Sequence, residues 1–380
     1  MKLFEFDLTE AQEEKAKNLH EESIVIDLLF QGPLAPTAFN DEISEKIKAE
    51  VSQHTDVKKG FMKGFLISAK LGVEEMPEFK DWWFESGLTA GNRQLGTDTM
   101  ESMFASMCIT AYQFDKCDWL VKALKADDIR AAKKANKKAG IVSAQDTTSL
   151  GTDLDNLDLI YDFGMRVLQL TYNTQNHVAA GCTERTNAGV TTYGVKFIER
   201  MNQLGMVVDT GHSGKQTTLD ACDISSSPVI ASHTAVEGVC RHARCKSDEE
   251  IEAIAKTGGV VGIVTVPQFL SNDEEPSVAH LLDHVDYVKN LVGVDHVGIG
   301  SDWPMSMPMW MMETIATGLA LELGFRKEDK LPTTDTLKGF SENKEYINIT
   351  RGLVSRGYSD EDIKKIIGEN WLRVFDQVWK

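Results

Sequence analysis

A (β/α)8 barrel is the fold class that this sequence predicts, and three observations predict it. Eight short apolar segments recur along the 380 residues. Most are unbroken runs of Val, Ile, Leu or Met rather than alternating ones, as expected of strands covered on both faces in a parallel sheet. Stretches with helical spacing separate them, and eight strands alternating with helices suit a closed barrel.

In chain order, the first predicted strand is 23–29, Ser-Ile-Val-Ile-Asp-Leu-Leu. The second is 87–92, opening at Gly87. Residues 33–85 and 93–125 are longer than a minimal barrel needs, and apolar positions in 61–71 and 100–114 predict inserted helices there. Asp127-Asp-Ile-Arg-Ala-Ala-Lys-Lys is strongly helix-forming and leads into the third strand, 140–145. A helix over 154–163 precedes the fourth strand, 166–172, and one over 193–204 precedes the fifth, 205–211. The sixth is 228–233. Ser247 followed by Glu250 is a capping box for the next helix, which Gly258-Gly259 stops before the seventh strand, 259–264. A helix over 278–292 leads to the eighth, 296–302. Met305-Ser-Met-Pro-Met-Trp-Met-Met then follows closely enough to lie over the barrel mouth. Two helical segments around Gly368 complete the chain. No repeat or linker divides it, so one domain over 1–380 is expected.

Composition narrows the function. A net charge of −18 disfavours nucleic acid and anionic membrane surfaces as partners. No run approaches the roughly 18 apolar residues of a membrane helix. The first ten residues are acidic and lack the basic start of a signal peptide, so a cytoplasmic location is expected. Six cysteines without a C-x-x-C pair are expected to be free thiols.

The chemistry gathers at three strand ends. Gly205-Met-Val-Val-Asp-Thr-Gly-His212 and Ser227-Pro-Val-Ile-Ala-Ser-His233 end in histidines 21 positions apart, and Asp295-His-Val-Gly-Ile-Gly-Ser-Asp302 ends in a carboxylate. The C-terminal edge of a parallel barrel is where its active site forms, and imidazole and carboxylate are metal-ligand types. Three separated segments therefore predict one metal-binding catalytic centre.

Six blocks carry a resemblance: Asn202 to Ser213, Ala231-Ser-His233, Arg241-His-Ala-Arg244 with Ser247-Asp-Glu-Glu, Thr257-Gly-Gly-Val-Val-Gly-Ile, Asp286 to Asp302, and Ile366-Ile-Gly-Glu-Asn-Trp-Leu-Arg-Val-Phe375. In order and spacing, the chain resembles the renal or membrane dipeptidases (peptidase family M19), binuclear zinc hydrolases of the amidohydrolase type. The resemblance implies that His212 and His233 bind zinc, that Asp302 shuttles the proton of the attacking water, and that Arg244 pairs with a substrate carboxylate through its guanidinium fork. A small carboxylate-bearing substrate and a homodimer are implied as partners.

The departures from that family are equally specific. Its first strand ends in a His-x-Asp metal pair, where this chain has Leu29 and Gln31. Its bridging glutamate is Gln145 here, and its substrate-binding histidine is Tyr172. Two adjacent divalent ions need anionic ligands, which a leucine and two amides do not supply. One zinc ion at His212 and His233, with the Gln145 amide nearby, is therefore expected, with Tyr172 touching substrate. Asp146 is expected to point to the opposite face from Gln145, and Asn173 and Asn176 to cap the turn that follows. The expected activity is zinc-dependent hydrolysis of a dipeptide-like amide. The alternative is a metal-free or non-hydrolytic barrel that binds a small carboxylated ligand.

Overall fold

The computed structural model describes residues 3–29, 41–96, 99–302, 309–314, 320–329 and 337–380. Eight parallel strands form the centre: β1 (Ile26–Asp27), β2 (Ala90–Gln94), β3 (Lys138–Ala144), β4 (Met165–Gln169), β5 (Val207–Asp209), β6 (Val229–Val236), β7 (Val261–Ile263) and β8 (Val297–Ile299). Each pairs in parallel with the next. The ring closes between β8 and β1, where the Leu28 N–H donates to the Ile299 carbonyl at 3.2 Å and the Asp302 N–H to the Leu29 carbonyl at 2.8 Å. Two short strands lie outside the ring, Leu120–Lys122 on β3 and Cys245–Lys246 on β6.

All eight predicted segments supply a barrel strand, and several strands begin two or three residues inside their segments, the second among them. Gly87 adopts φ +71, a left-handed conformation that extended backbone does not use, so it forms a turn. The strand begins at Ala90, after the Thr89 and Ala90 N–H groups reach back to the Val25 carbonyl.

The helices follow their local signals. Ser247 and Glu250 form the capping box, with the Ser247 N–H and hydroxyl each 2.9 Å from the Glu250 carboxylate. The helix Asp248–Lys256 stops at Gly258, φ +84. The inserted segments hold helices at Asp41–Val51, Val57–Glu75, Glu78–Glu85 and Met100–Lys116. Of the Met-rich stretch, residues 305–308 lie outside the described residues, while Met309–Thr314 form a short helix whose Trp310 indole donates to Ser44 Oγ at 2.9 Å.

The C-terminal tail packs against the strands. Asp360–Lys364 and Asn370–Val378 are joined by a π turn over Lys365–Glu369. Gly368 lets that turn approach the first strand, since a Cβ there would sit 1.9 Å from the Ile24 carbonyl oxygen. Trp371 is fully buried, donates to the Ile299 carbonyl at 3.1 Å, and shares a cluster with Ile26, Ile141, Val167, Val207 and Ile230. Replacing Gly368 by alanine forces the tail outward. Gly368→Ala is expected to lower stability by about 1–3 kcal/mol, the usual cost of overpacking, read as a shift in the urea midpoint.

Two buried histidines are neutral parts of the core. His20 Nε2 lies 3.1 Å from the Ser86 carbonyl, so that nitrogen carries the proton and Nδ1 accepts from Thr350 Oγ1 at 2.8 Å. His284 likewise donates to the Leu270 carbonyl at 3.0 Å and accepts from the Val236 N–H at 2.9 Å. Burial, the largest cause in each case, lowers both to about 4 from 6.5. Below pH 6.5 the unfolded chain binds protons that the folded chain does not, so stability is present above 6.5 and is lost as pH falls toward 4. A single histidine accounts for about 1.4 kcal/mol per pH unit in that window. Chemical denaturation from pH 7 to pH 4 is expected to show this slope, and His20→Gln to make it shallower.

Candidate metal and active site

The predicted site residues meet at the C-terminal ends of the strands. His212 follows β5, His233 lies within β6, and Asp302 follows β8. One ligand atom from each lies within 4.8 Å of the others. The imidazole centroids are 4.9 Å apart, and His233 Nε2 is 3.7 Å from Asp302 Oδ2. Asp302 has φ +53, an uncommon left-handed conformation for a non-glycine residue. Its N–H bond to Leu29 is the same contact that closes the ring.

Both imidazoles are buried, and their hydrogen bonds fix which nitrogen faces the site. His212 Nδ1 is 2.7 Å from Asn173 Oδ1. The Asn173 amide nitrogen donates to the Leu323 carbonyl at 2.9 Å, so its oxygen must face the histidine. His212 therefore carries its proton on Nδ1, leaving a lone pair on Nε2. That atom is buried and has no hydrogen-bond partner. His233 Nδ1 is 2.7 Å from Ser232 Oγ, and its Nε2 is 3.2 Å from the Gln145 amide nitrogen. Burial first, then the Arg244 charge, holds both histidines well below the usual imidazole range. Neutral rings presenting Nε2 lone pairs are the form in which histidine binds a metal. A buried, partnerless Nε2 carries a polar-burial cost that a cation would remove, so this donor set fits a divalent metal.

The remaining predicted residues fall around this centre. Tyr172 stacks on His212, with centroids 4.0 Å apart and planes 22° from parallel; burial raises its phenol, keeping it neutral. Gln145 reaches His233 from the end of β3. Leu29 is buried beside the closure, and Gln31 lies outside the described residues. Arg244 is 1% exposed and donates to the Gly211 and His233 carbonyls, tying together the two histidine-bearing strand ends; its Nε–H has no partner. Lys246 holds the residue after His212, donating to the Ser213 carbonyl at 2.8 Å and to Glu250 at 3.0 Å. Asp146 turns away from the centre, accepting from the Tyr172 N–H at 2.6 Å and the Asn176 amide at 3.2 Å. Asn176 caps its turn as expected, through the Val178 and Ala179 N–H groups. Asn173 instead orients His212.

Two supporting residues escaped the sequence reading, Asp209 and Ser232, and Asn173 was read there only as a turn cap. The signal for Asp209 was present, since a carboxylate inside an apolar run must be hydrogen-bonded. Its oxygens accept from the Gly211 N–H at 2.9 Å, the Ser232 N–H at 2.8 Å and the Ser232 hydroxyl at 2.5 Å. Burial raises this carboxyl, and the bonds from Ser232 and Gly211 oppose that rise.

Comparison with known proteins places the chain in a family and a fold. The family model for membrane dipeptidase (peptidase family M19) matches residues 13–315 and 331–380. A dipeptidase of Claviceps purpurea, tcpJ, is 27% identical over 264 residues, 69% of this chain. The chain spans 56% of the length of that relative. A crystal structure of an amidohydrolase from Pseudomonas aeruginosa superposes with a TM-score of 0.77 at 26% identity, covering 96% of this chain and 99% of that one. The probable dipeptidase PvdM from Pseudomonas aeruginosa shares the fold, with a TM-score of 0.74 at 20% identity over 98% of this chain and 99% of its own.

Asn173→Leu removes the acceptor that orients His212 and strands a buried N–H. The expected cost is about 1–3 kcal/mol of stability, measured by urea unfolding, with metal affinity weakened about 10–100-fold in a zinc titration.

Proposed function

The chain belongs to the membrane dipeptidase family, and we propose that it hydrolyses a dipeptide-like amide in a small carboxylate-bearing substrate, with one zinc ion rather than two. The observation that carries this reading is the buried, partnerless His212 Nε2, grouped with ligand atoms of His233 and Asp302 within 4.8 Å. His212 and His233 would hold the ion through Nε2, with the Asp302 carboxylate on its third side and the Gln145 amide beside it. When bound, such an ion supplies Lewis acidity and brings the pKa of a water toward about 7.

The rest of the chemistry belongs to the protein. Asp302 takes the proton from the attacking water and delivers it to the departing nitrogen, as general base and then acid. Tyr172 borders the substrate as a neutral phenol, able to donate or accept at its hydroxyl. Arg244 offers its Nε–H and a buried positive charge to the substrate carboxylate. Because its other donors already hold Gly211 and His233, it supplies charge more than a complete fork.

The absence of a second ion follows from charge. Leu29, Gln31 and Gln145 stand where the family places a histidine, an aspartate and a glutamate, which leaves Asp302, among the described residues of the ligand group, as the anion to offset a dication. Mass spectrometry of the purified protein is expected to find close to one zinc per chain, and none in His212→Ala/His233→Ala. Leu29→His/Gln31→Asp/Gln145→Glu is expected to raise the count toward two. No zinc after incubation with the metal would overturn the reading in favour of a metal-free barrel. Two per chain in the unaltered protein would overturn the single-ion assignment. In a dipeptide turnover assay, Asp302→Asn is expected to lower kcat by about 10²–10⁴-fold while retaining the zinc.

A further inference from the structure

We infer that Asp209 and Ser232 are positioning residues for His233: together they place its ring proton on Nδ1 and keep the Nε2 lone pair turned into the site. The inference rests on the metal-dependent reading above for its functional meaning. Its geometric content is independent of any bound ion.

Asp209 Oδ1 faces two backbone donors, the Gly211 N–H at 2.9 Å and the Ser232 N–H at 2.8 Å. Its Oδ2 lies 2.5 Å from Ser232 Oγ. An ionised carboxylate only accepts, so the serine hydroxyl donates to it. Ser232 Oγ is then an acceptor toward His233 Nδ1, 2.7 Å away, and that nitrogen carries the proton. The opposite side of the ring agrees: the Gln145 amide nitrogen, a donor, lies 3.2 Å from His233 Nε2. All three members are buried, with Asp209 3%, Ser232 1% and His233 0% exposed, so water does not compete for these bonds.

The same clamp occurs a second time. Asp27 Oδ1 accepts from the Leu29 N–H at 3.0 Å and the Ser301 N–H at 2.9 Å, and its Oδ2 accepts from the Ser301 hydroxyl at 2.5 Å. In both copies the aspartate lies on one strand and the serine on or just past the end of its neighbour, and the residue after the serine enters the site: His233 in one, Asp302 in the other. Only the first copy ends on an imidazole, so only there does the direction of the serine hydroxyl choose a tautomer. The second copy is thus an internal control.

Asp209→Asn tests the direction of the chain. The two backbone donors require an oxygen, so the new amide nitrogen must face Ser232 Oγ. The hydroxyl then turns toward His233 Nδ1, and the ring proton moves to Nε2, where it blocks the lone pair. Nitrogen-15 NMR of metal-free protein labelled at histidine is expected to show His233 protonated on Nδ1 in the unaltered chain, on Nε2 in Asp209→Asn, and in both forms in Ser232→Ala. Asp27→Asn is expected to leave the His233 signals in place. Calorimetric titration with zinc alone is expected to show affinity about 10–100-fold weaker in Asp209→Asn, and a smaller loss in Ser232→Ala. A proton on Nε2 in the unaltered protein would overturn the inference, and this measurement needs no variant to fold. Unchanged signals and zinc affinity in a folded Asp209→Asn would overturn it while leaving the single-zinc reading intact. A switched tautomer in a protein that never binds zinc would support the positioning role and remove the metal reading.

Discussion

The Asp27 carboxylate joins the two ends of the sheet, and the site depends on that junction. It is fully buried, and burial raises its pKa. Bonds from the Leu29 and Ser301 N–H groups and the Ser301 hydroxyl oppose that rise. Those bonds span β1 and β8, the seam at which an open sheet becomes a barrel. Asp302 follows Ser301 directly, and its N–H bond to Leu29 completes the seam. Closing the barrel and presenting Asp302 are therefore one structural event. The left-handed backbone at Asp302 is held by the same contacts, as expected where function imposes an unusual conformation.

A similar economy holds around the histidines. Arg244 and Lys246 would be costly to bury alone. Arg244 spends its charge on the carbonyls of Gly211 and His233, and Lys246 on Ser213 and Glu250. The two cations thereby fix the backbone at both imidazoles, and the Arg244 charge helps keep those rings neutral. Electrostatics of this kind favours lone pairs over protons at the centre, which suits a metal ligand and would not suit a histidine acting as an acid. The amides at Gln145 and Asn173 complete the arrangement without adding charge. In the proposed function this is why one dication suffices: Asp302 is the anion that the described part of the centre offers it.

Much of the fold was legible in local sequence. The apolar runs around Val207, Ile230, Ile263 and Ile299 became buried strands because parallel strands covered on both faces need apolar side chains on each. Ser247 with Glu250, and Gly258 after them, marked a helix at both ends. The strand near Gly87 was displaced because a left-handed glycine turn looks, in sequence, like any other small residue before an apolar run. Among site residues, His212, His233 and Asp302 were legible because each ends such a run. Asn173 and Ser232 were not, because their importance lies in partners 39 residues and one residue away whose ring orientation no local pattern encodes.

By itself, then, the sequence determined the alternation of strands and helices and the polar residues that end the strands. These are properties of residue type and spacing, and they need no partner to be read. Only the tertiary structure decided which nitrogen of each histidine faces the centre, that Arg244 bonds to backbone carbonyls, and that Asp209 and Asp27 form matching clamps with serines on or just past the neighbouring strand. The physical reason is that a hydrogen bond is directional and short-ranged: its donor and acceptor are assigned only when folding has brought both groups to one place and excluded water from between them.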